Sequence, residues 1–164
     1  MRIIRWMLPS VLVSGCFYSF TTSLPGHVET VNVPVFQNET LEVDLAEQLT
    51  TAVTERFIQD NLLNVIQGAA DSELNGSVTG YEERVFGFDS QQRADEYLVV
   101  VTVDLLFRDR VKNKEIWSEE SVRGVGSYFL GSSETGVPTT ETEARGLAIK
   151  QIVDIIVSRT FEGW

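Results

Sequence analysis

A lone thiol, a lone imidazole, two pairs of adjacent carboxylates and a short row of cations are the groups in this chain that could do chemistry. The thiol is Cys16 and the imidazole is His27. One Cys excludes a disulfide framework and any multi-Cys metal site within one chain. One His excludes a multi-His metal site and argues against a catalytic triad. His27 reads as a surface or packing residue just ahead of the first strand. The pairs Glu82-Glu83 and Glu119-Glu120 could in principle act as acid and base. Neighbours on a strand point to opposite faces, however, so neither pair faces one substrate. There is no Gly-x-Ser-x-Gly elbow, P-loop or Rossmann glycine run. The sequence therefore reads as a binding protein and not an enzyme, with no cofactor or metal implied. The cations offer a different chemistry. Arg108, Arg110, Lys112 and Lys114 fall at i, i+2 steps, and side chains two apart on a strand share a face. Such a row could bind phosphate. The alternative is a hairpin tip kept soluble by its charge.

The surroundings of Cys16 define its chemistry. Residues 1–16 read MRIIRWMLPSVLVSGC. Arg2 and Arg5 make a positive head, Trp6 to Val13 an apolar stretch, and Ser14-Gly15 a small-residue cleavage site. That pattern is a secretory signal, and its apolar run is too short to span a bilayer. Val13-Ser14-Gly15-Cys16 resembles the bacterial lipobox, with Val for the commoner Leu. The expected division is a signal peptide at 1–15 and a single domain at 16–164. Cys16 would become the mature N-terminus and carry a diacylglyceryl group and a further acyl chain such as palmitate. The alternative is a free Cys within a leader. Each buried CH₂ contributes ~0.8 kcal/mol, and more than one chain gives stable anchoring. Phe17, where an Asp would favour the inner membrane, points to the outer membrane.

Charge bounds the partners. The chain has 164 residues, 43% of them hydrophobic, with 13 basic and 24 acidic side chains. One ordinary domain with a core fits this, and nucleic acid does not. Without residues 1–15 the balance is 11 bases against 24 acids, a net charge of −13. Seven of those 11 bases are Arg84, Arg93, Arg108, Arg110, Lys112, Lys114 and Arg123. They share the 84–123 segment with eight acids, so nearly all the excess negative charge lies elsewhere.

The elements that must position these groups follow from apolar periodicity. Residues 28–36 alternate through Val31, Val33 and Val35 and predict a strand, with Pro34 at an edge or end. Residues 37–40, QNET, are turn-like and offer helix caps. From 41 to 60, Leu41, Leu45, Leu49, Ala52, Val53, Phe57 and Ile58 recur at three and four, predicting a helix that ends at Asn61. Residues 63–66 read as a brief strand or connector. Residues 73–86 predict a strand in which Gly76 and Gly80 leave room for close approach to the backbone. A polar loop follows at 87–95. The strongest strand is 96–109, with Tyr97, Val99, Val101, Val103, Leu105 and Phe107 on one face and Leu98, Val100 and Leu106 on the other. Asn113 marks a hairpin turn, and 114–125 pairs back. A loop at 126–140 precedes a helix at 141–161 carrying Ala144, Leu147, Ala148, Ile152, Ile155, Ile156 and Phe161. The order β-α-β-β-β-α predicts an α+β two-layer sandwich, with two helices on one face of a four-stranded mixed sheet. The free face, with Leu98, Val100 and Leu106, is either a docking surface or scattered surface apolar residues.

Several of these segments resemble one family. Cys16-Phe17-Tyr18-Ser19-Phe20 resembles the Cys-Gly-Tyr-x-Phe opening of the LptE family of lipopolysaccharide-assembly lipoproteins. The segment from Val31 to Thr40, VNVPVFQNET, is similar to its Val-x-Val-Pro-x-Phe-x-Asn-x-Thr stretch. Glu96-Tyr97 into Val99–Val103, then Phe107-Arg108-Asp109 and Ile116-Trp117, resembles its central hairpin. The resemblance spans roughly residues 16–160. It implies a non-enzymatic outer-membrane lipoprotein on the periplasmic side, plugging the lumen of the β-barrel LptD. It also implies help in assembling that barrel and in delivering lipopolysaccharide to the outer leaflet. Family members are thought to contact lipopolysaccharide through basic loop residues at one end of the sheet. Arg93 matches by position, before Ala94-Asp95-Glu96-Tyr97, whereas 126–143 has no Lys or Arg. The phosphate candidates are thus Arg93, by resemblance, and Arg108, Arg110, Lys112 and Lys114, by their spacing. A different periplasm-facing lipoprotein, such as a peptidoglycan-synthase activator, is the competing reading. It commonly carries a long tether after the Cys, whereas only about 12 residues separate Cys16 from the first predicted strand.

Overall fold

The computed structural model describes residues 24–61, 63–132 and 134–161. The expected signal peptide at 1–15 and Cys16 fall outside the described residues. In chain order the elements are β1 (Thr30–Asn32), β2 (Gln37–Asn38), α1 (Leu45–Asp60), β3 (Asn64–Val65), β4 (Ser72–Phe88), β5 (Ala94–Asp109), β6 (Lys114–Phe129) and α2 (Glu141–Phe161).

The sheet is mixed and open, in the order β3-β1-β4-β5-β6, with β2 also paired to β4. Six strands replace the expected four. The first predicted strand shortens to Thr30–Asn32, because Pro34 has no N–H to give the ladder and the chain bends there, and β2 falls within QNET, which was expected to be a turn. β1 and β2 then pair in parallel with successive stretches of the same edge of β4, at Ser72-Glu73 and Ser77-Val78. The bend turns the Phe36 ring inward against Gly76, where a Cβ would sit 2.5 Å from the ring. This is the close approach that Gly76 implied. The 63–66 connector supplies β3, parallel to β1. β4, β5 and β6 form two long antiparallel hairpins, reaching further into the expected loops than alternation alone suggested.

Both helices cover one face. Leu45, Leu49, Val53 and Phe57 of α1 and Ala148, Ile152 and Ile156 of α2 share one core with Leu74, Val101, Val103 and Phe107. Burying a side chain of this size contributes roughly 1.5–3 kcal/mol. The inner face of β5 matches its prediction, with Val99 to Phe107 buried at every second residue. Three helix assignments differ. Leu41 lies before α1 and is 97% exposed, and Ile58 and Leu147 also face solvent. Period 3.6 gathers any apolar residue near the stripe, but only a partner surface decides which become buried.

Local chemistry fixes the ends. α2 opens with a capping box: the Glu143 N–H donates to Thr140 Oγ1, and Glu143 Oε2 accepts the Thr140 N–H at 3.2 Å. α1 stops at Asn61, which takes the left-handed conformation at φ 50°. Gly124 and Gly126 of β6 let α2 lie unusually close, since a Cβ at either would come 2.0 Å from the carbonyl oxygen of Ala148 or Ala144.

Candidate functional site

Two hairpin tips sit at opposite ends of the sheet, and the predicted cations divide between them. β5 runs from one tip to the other, so Arg93 and Arg108 are separated by nearly its whole 16 residues, roughly 50 Å at 3.3 Å per residue. The structure does not bring Arg93 together with Arg108, Arg110, Lys112 and Lys114. One phosphate group cannot be shared between them.

At the β4–β5 tip, Arg93 is 72% exposed and folds back on its own turn. Its guanidinium contacts Asp89 at 2.8 and 2.9 Å, while the backbone N–H groups of Arg93 and Gln91 also donate to Asp89. These bonds, the Arg93 N–H foremost, hold the Asp89 carboxyl below the ordinary carboxylate range. Arg84 lies nearby, 3.8 Å from Glu82. A cleft of about 390 Å³ adjoins this end, lined by Asp95, Phe129, Leu130, Gly131, Ser132, Glu134 and Val137. Its charged lining is acidic, so it does not extend a phosphate site from Arg93.

The same end carries features that the sequence reading did not single out. Val85, Phe86, Phe88 and Leu130 are exposed where the hairpin outruns the helices. Apolar residues flanking Gly87 at the end of a strand were the available signal. On the inner face below them, Tyr97 stacks on Tyr128 with ring centroids 5.2 Å apart. The Tyr128 hydroxyl donates to Glu83 and the Tyr81 hydroxyl to Glu141. Burial, then the bond to Glu141, pushes Tyr81 up to about 12. Arg145 closes the cluster, contacting Glu141 at 2.6 Å and Glu42 at 2.8 Å with its guanidinium over the Tyr81 ring. Glu83 is thus a structural acceptor. Glu119 likewise pairs with Arg159 at 2.8 Å. Neither carboxylate is poised for acid–base work.

At the β5–β6 tip the strand ends at Asp109, and Arg110 to Asn113 form the turn. The four cations therefore do not form one row on a strand face: only Arg108 and Lys114 lie on strands, and the turn carries Arg110 and Lys112. Arg110 Nη1 donates to the Gly68 carbonyl and lies 3.5 Å from Glu73. His27, expected as a surface or packing residue, is half-buried and sets its Nε2 2.7 Å from Oδ2 of the buried Asp109. Asp109 Oδ1 in turn accepts the Lys112 N–H at 2.9 Å.

The outer sheet face is covered by no described element. Leu98, Val100 and Leu106 are half-buried there, and Val125 lies opposite Val100. A second cleft of about 340 Å³ surrounds Leu106, bordered by Asn75, Asp104, Ser118 and Glu120. Among the described residues, no cluster of three or more His, Cys, Asp or Glu could hold a metal ion. No helix there is long and apolar enough to cross a membrane.

Comparison with known proteins places this geometry. The family model described as LptE, lipopolysaccharide-assembly, matches residues 28–160. No curated protein matches the chain. A solved structure of a hypothetical protein from Chlamydia trachomatis aligns with a TM-score of 0.56 at 13% identity, covering 82% of this chain and 96% of that one. A protein from Xanthomonas campestris aligns with a TM-score of 0.56 at 12% identity, covering 80% and 83%. At these identities the two structures share the fold with this chain.

Proposed function

The chain belongs to the LptE family of lipopolysaccharide assembly, and from that premise we propose an outer-membrane lipoprotein that plugs a large LptD-like β-barrel, helps it assemble and assists lipopolysaccharide delivery to the outer leaflet. The observation that carries this reading is the family match across residues 28–160, which takes in every element of the sheet and nearly all of α2. Cys16 is the proposed lipidation site, and the anchor holds the domain on the periplasmic side.

The geometry supports the plug in two ways. A domain seated in a lumen needs many polar contacts and a few apolar anchors. The uncovered outer face offers polar and charged side chains around Leu98, Val100, Leu106 and Val125. The projecting β4–β5 end offers Phe86 and Phe88 as anchors. The acidic surface would favour basic lumen walls. Lipopolysaccharide engagement belongs to that projecting end, with Arg93 as its phosphate contact once freed from Asp89.

The test is affinity capture of the C-terminally tagged full-length protein from detergent-solubilised outer membranes, followed by mass spectrometry. A large β-barrel recovered in near-equal amount is the expected result. Recovery of a cell-wall synthase without a barrel would overturn the reading in favour of a peptidoglycan-synthase activator.

A further inference from the structure

The β5–β6 turn combines four observations that the plug reading does not use. First, its cations are largely unengaged. Arg108, Lys112 and Lys114 are exposed and, among the described residues, make no side-chain ion pair within 4 Å, although Arg108 stands across the ladder from Glu73 and its charge acts on that carboxylate. Second, the cations outnumber the acids of their own hairpin tip, where Arg108, Arg110, Lys112 and Lys114 stand against the carboxylates of Asp109 and Glu115. Asp109 is buried and bonded to His27 and the Lys112 N–H. Glu73 accepts from Asn75 and Asn32 and lies 3.5 Å from Arg110. Glu115, opposite Arg108, accepts the Ser118 hydroxyl at 2.6 Å. Asp71 is held by Thr30 and the Glu29 N–H, and Glu29 and Glu115 are the exposed acids nearby. Third, Val111 stands 63% exposed at the head of the turn, between the cations.

The fourth observation is where the chain comes in. His27 bonds Asp109 at the base of this turn, so the domain's N-terminal side and the basic tip are the same end of the molecule. Cys16 precedes His27 by 11 residues, which can span at most ~40 Å. The opposite tip lies roughly 50 Å further along the sheet.

We infer that the Arg108–Lys114 turn is a second membrane contact, seating its cations on anionic phospholipid headgroups of the leaflet that holds the Cys16 lipid, with Val111 dipping between them. This rests on the lipoprotein reading. Each cation close to an anionic leaflet strengthens contact about fivefold, an effect confined to within a Debye length of the surface. On a chain whose remaining surface is strongly acidic, the contact would orient the domain: the basic tip turns towards the lipid and the Arg93 tip away from it. Arg93 and the turn then act on different lipids, which their separation requires.

The experiment uses the full-length lipidated protein in vesicles of phosphatidylethanolamine with phosphatidylglycerol, and in phosphatidylcholine alone. Because Cys16 would be acylated, Val111→Cys supplies one free thiol for a fluorophore, and Gln91→Cys supplies the same at the opposite tip. Quenching by doxyl-labelled lipid reports proximity. Expected is quenching several-fold stronger at 111 than at 91 in the anionic vesicles, weakened by salt and by phosphatidylcholine. Combined Arg108→Glu, Lys112→Glu and Lys114→Glu should abolish the difference, and the corresponding Gln variants should reduce it if the Glu set fails to fold. Equal quenching at both positions, or quenching at 111 that ignores the charge changes, would overturn the inference. The intact mass separates the two levels. An unmodified Cys16 removes the anchor and the inference with it, whereas an acylated Cys16 without preferential quenching removes the inference alone.

Discussion

Arg145 shows what a half-buried charge does in this protein. It joins α1's approach to the sheet through Glu42, α2's first turn through Glu141, and β4 through Tyr81. Bonds from the Tyr81 hydroxyl and then from Arg145 hold the Glu141 carboxyl below its ordinary value. A depressed carboxylate stabilises the fold above its unfolded pKa, and that contribution is lost as pH falls through the folded one. Arg145→Gln should therefore destabilise the protein by about 1–2 kcal/mol at neutral pH, the carboxylates being more than a third exposed. The gap from wild type should narrow below about pH 4. Urea unfolding at neutral and acid pH checks both; a gap constant with pH would assign the effect to packing over Tyr81. Only the Glu141–Arg145 pair, four residues apart on α2, is open to reading from spacing; Glu42 and Tyr81 lie on two other segments, and only folding makes them its neighbours.

At the scale of elements, the seam between α2 and β6 is set by small residues. Gly124 and Gly126 face the α2 backbone at Ala148 and Ala144. Gly124→Ala or Gly126→Ala should each cost about 1–3 kcal/mol or more, since the group displaced is a helix carbonyl that cannot swing aside. Gly146, on the open side of α2 with nothing within 4 Å of a would-be Cβ, should behave oppositely. Gly146→Ala should gain roughly 0.5–1 kcal/mol by reducing backbone entropy lost on helix formation. Chemical denaturation of the three variants tests the contrast, and equal effects at Gly124 and Gly146 would remove the close seam. The long strands and both helices were readable because their periods repeat for many residues. The two-residue β2 was not, because so short a stretch carries no period; only its parallel pairing to Ser77 and Val78 defines it.

At the scale of the whole molecule, the decisive feature is a long sheet with a different chemistry at each end. Arg93→Glu should weaken lipopolysaccharide binding by the purified protein while leaving its thermal midpoint nearly unchanged. An exposed ion pair such as Arg93–Asp89 is screened by water and contributes little to stability, and the backbone bonds to Asp89 remain. Binding equal to wild type would remove Arg93 from the site. The sequence by itself determined the α+β class, the two helices and the three long strands, the buried face of β5 and the family. All of these follow from local periodicity or from contiguous residues such as VNVPVFQNET. The tertiary structure alone decided that six strands build the sheet, that Phe86 and Phe88 project with Arg93 at one end, and that the Arg108–Lys114 turn stands beside the incoming chain at the other. The reason is physical: spacing along a chain fixes which face a side chain takes, but strand pairing fixes which distant residues share an end.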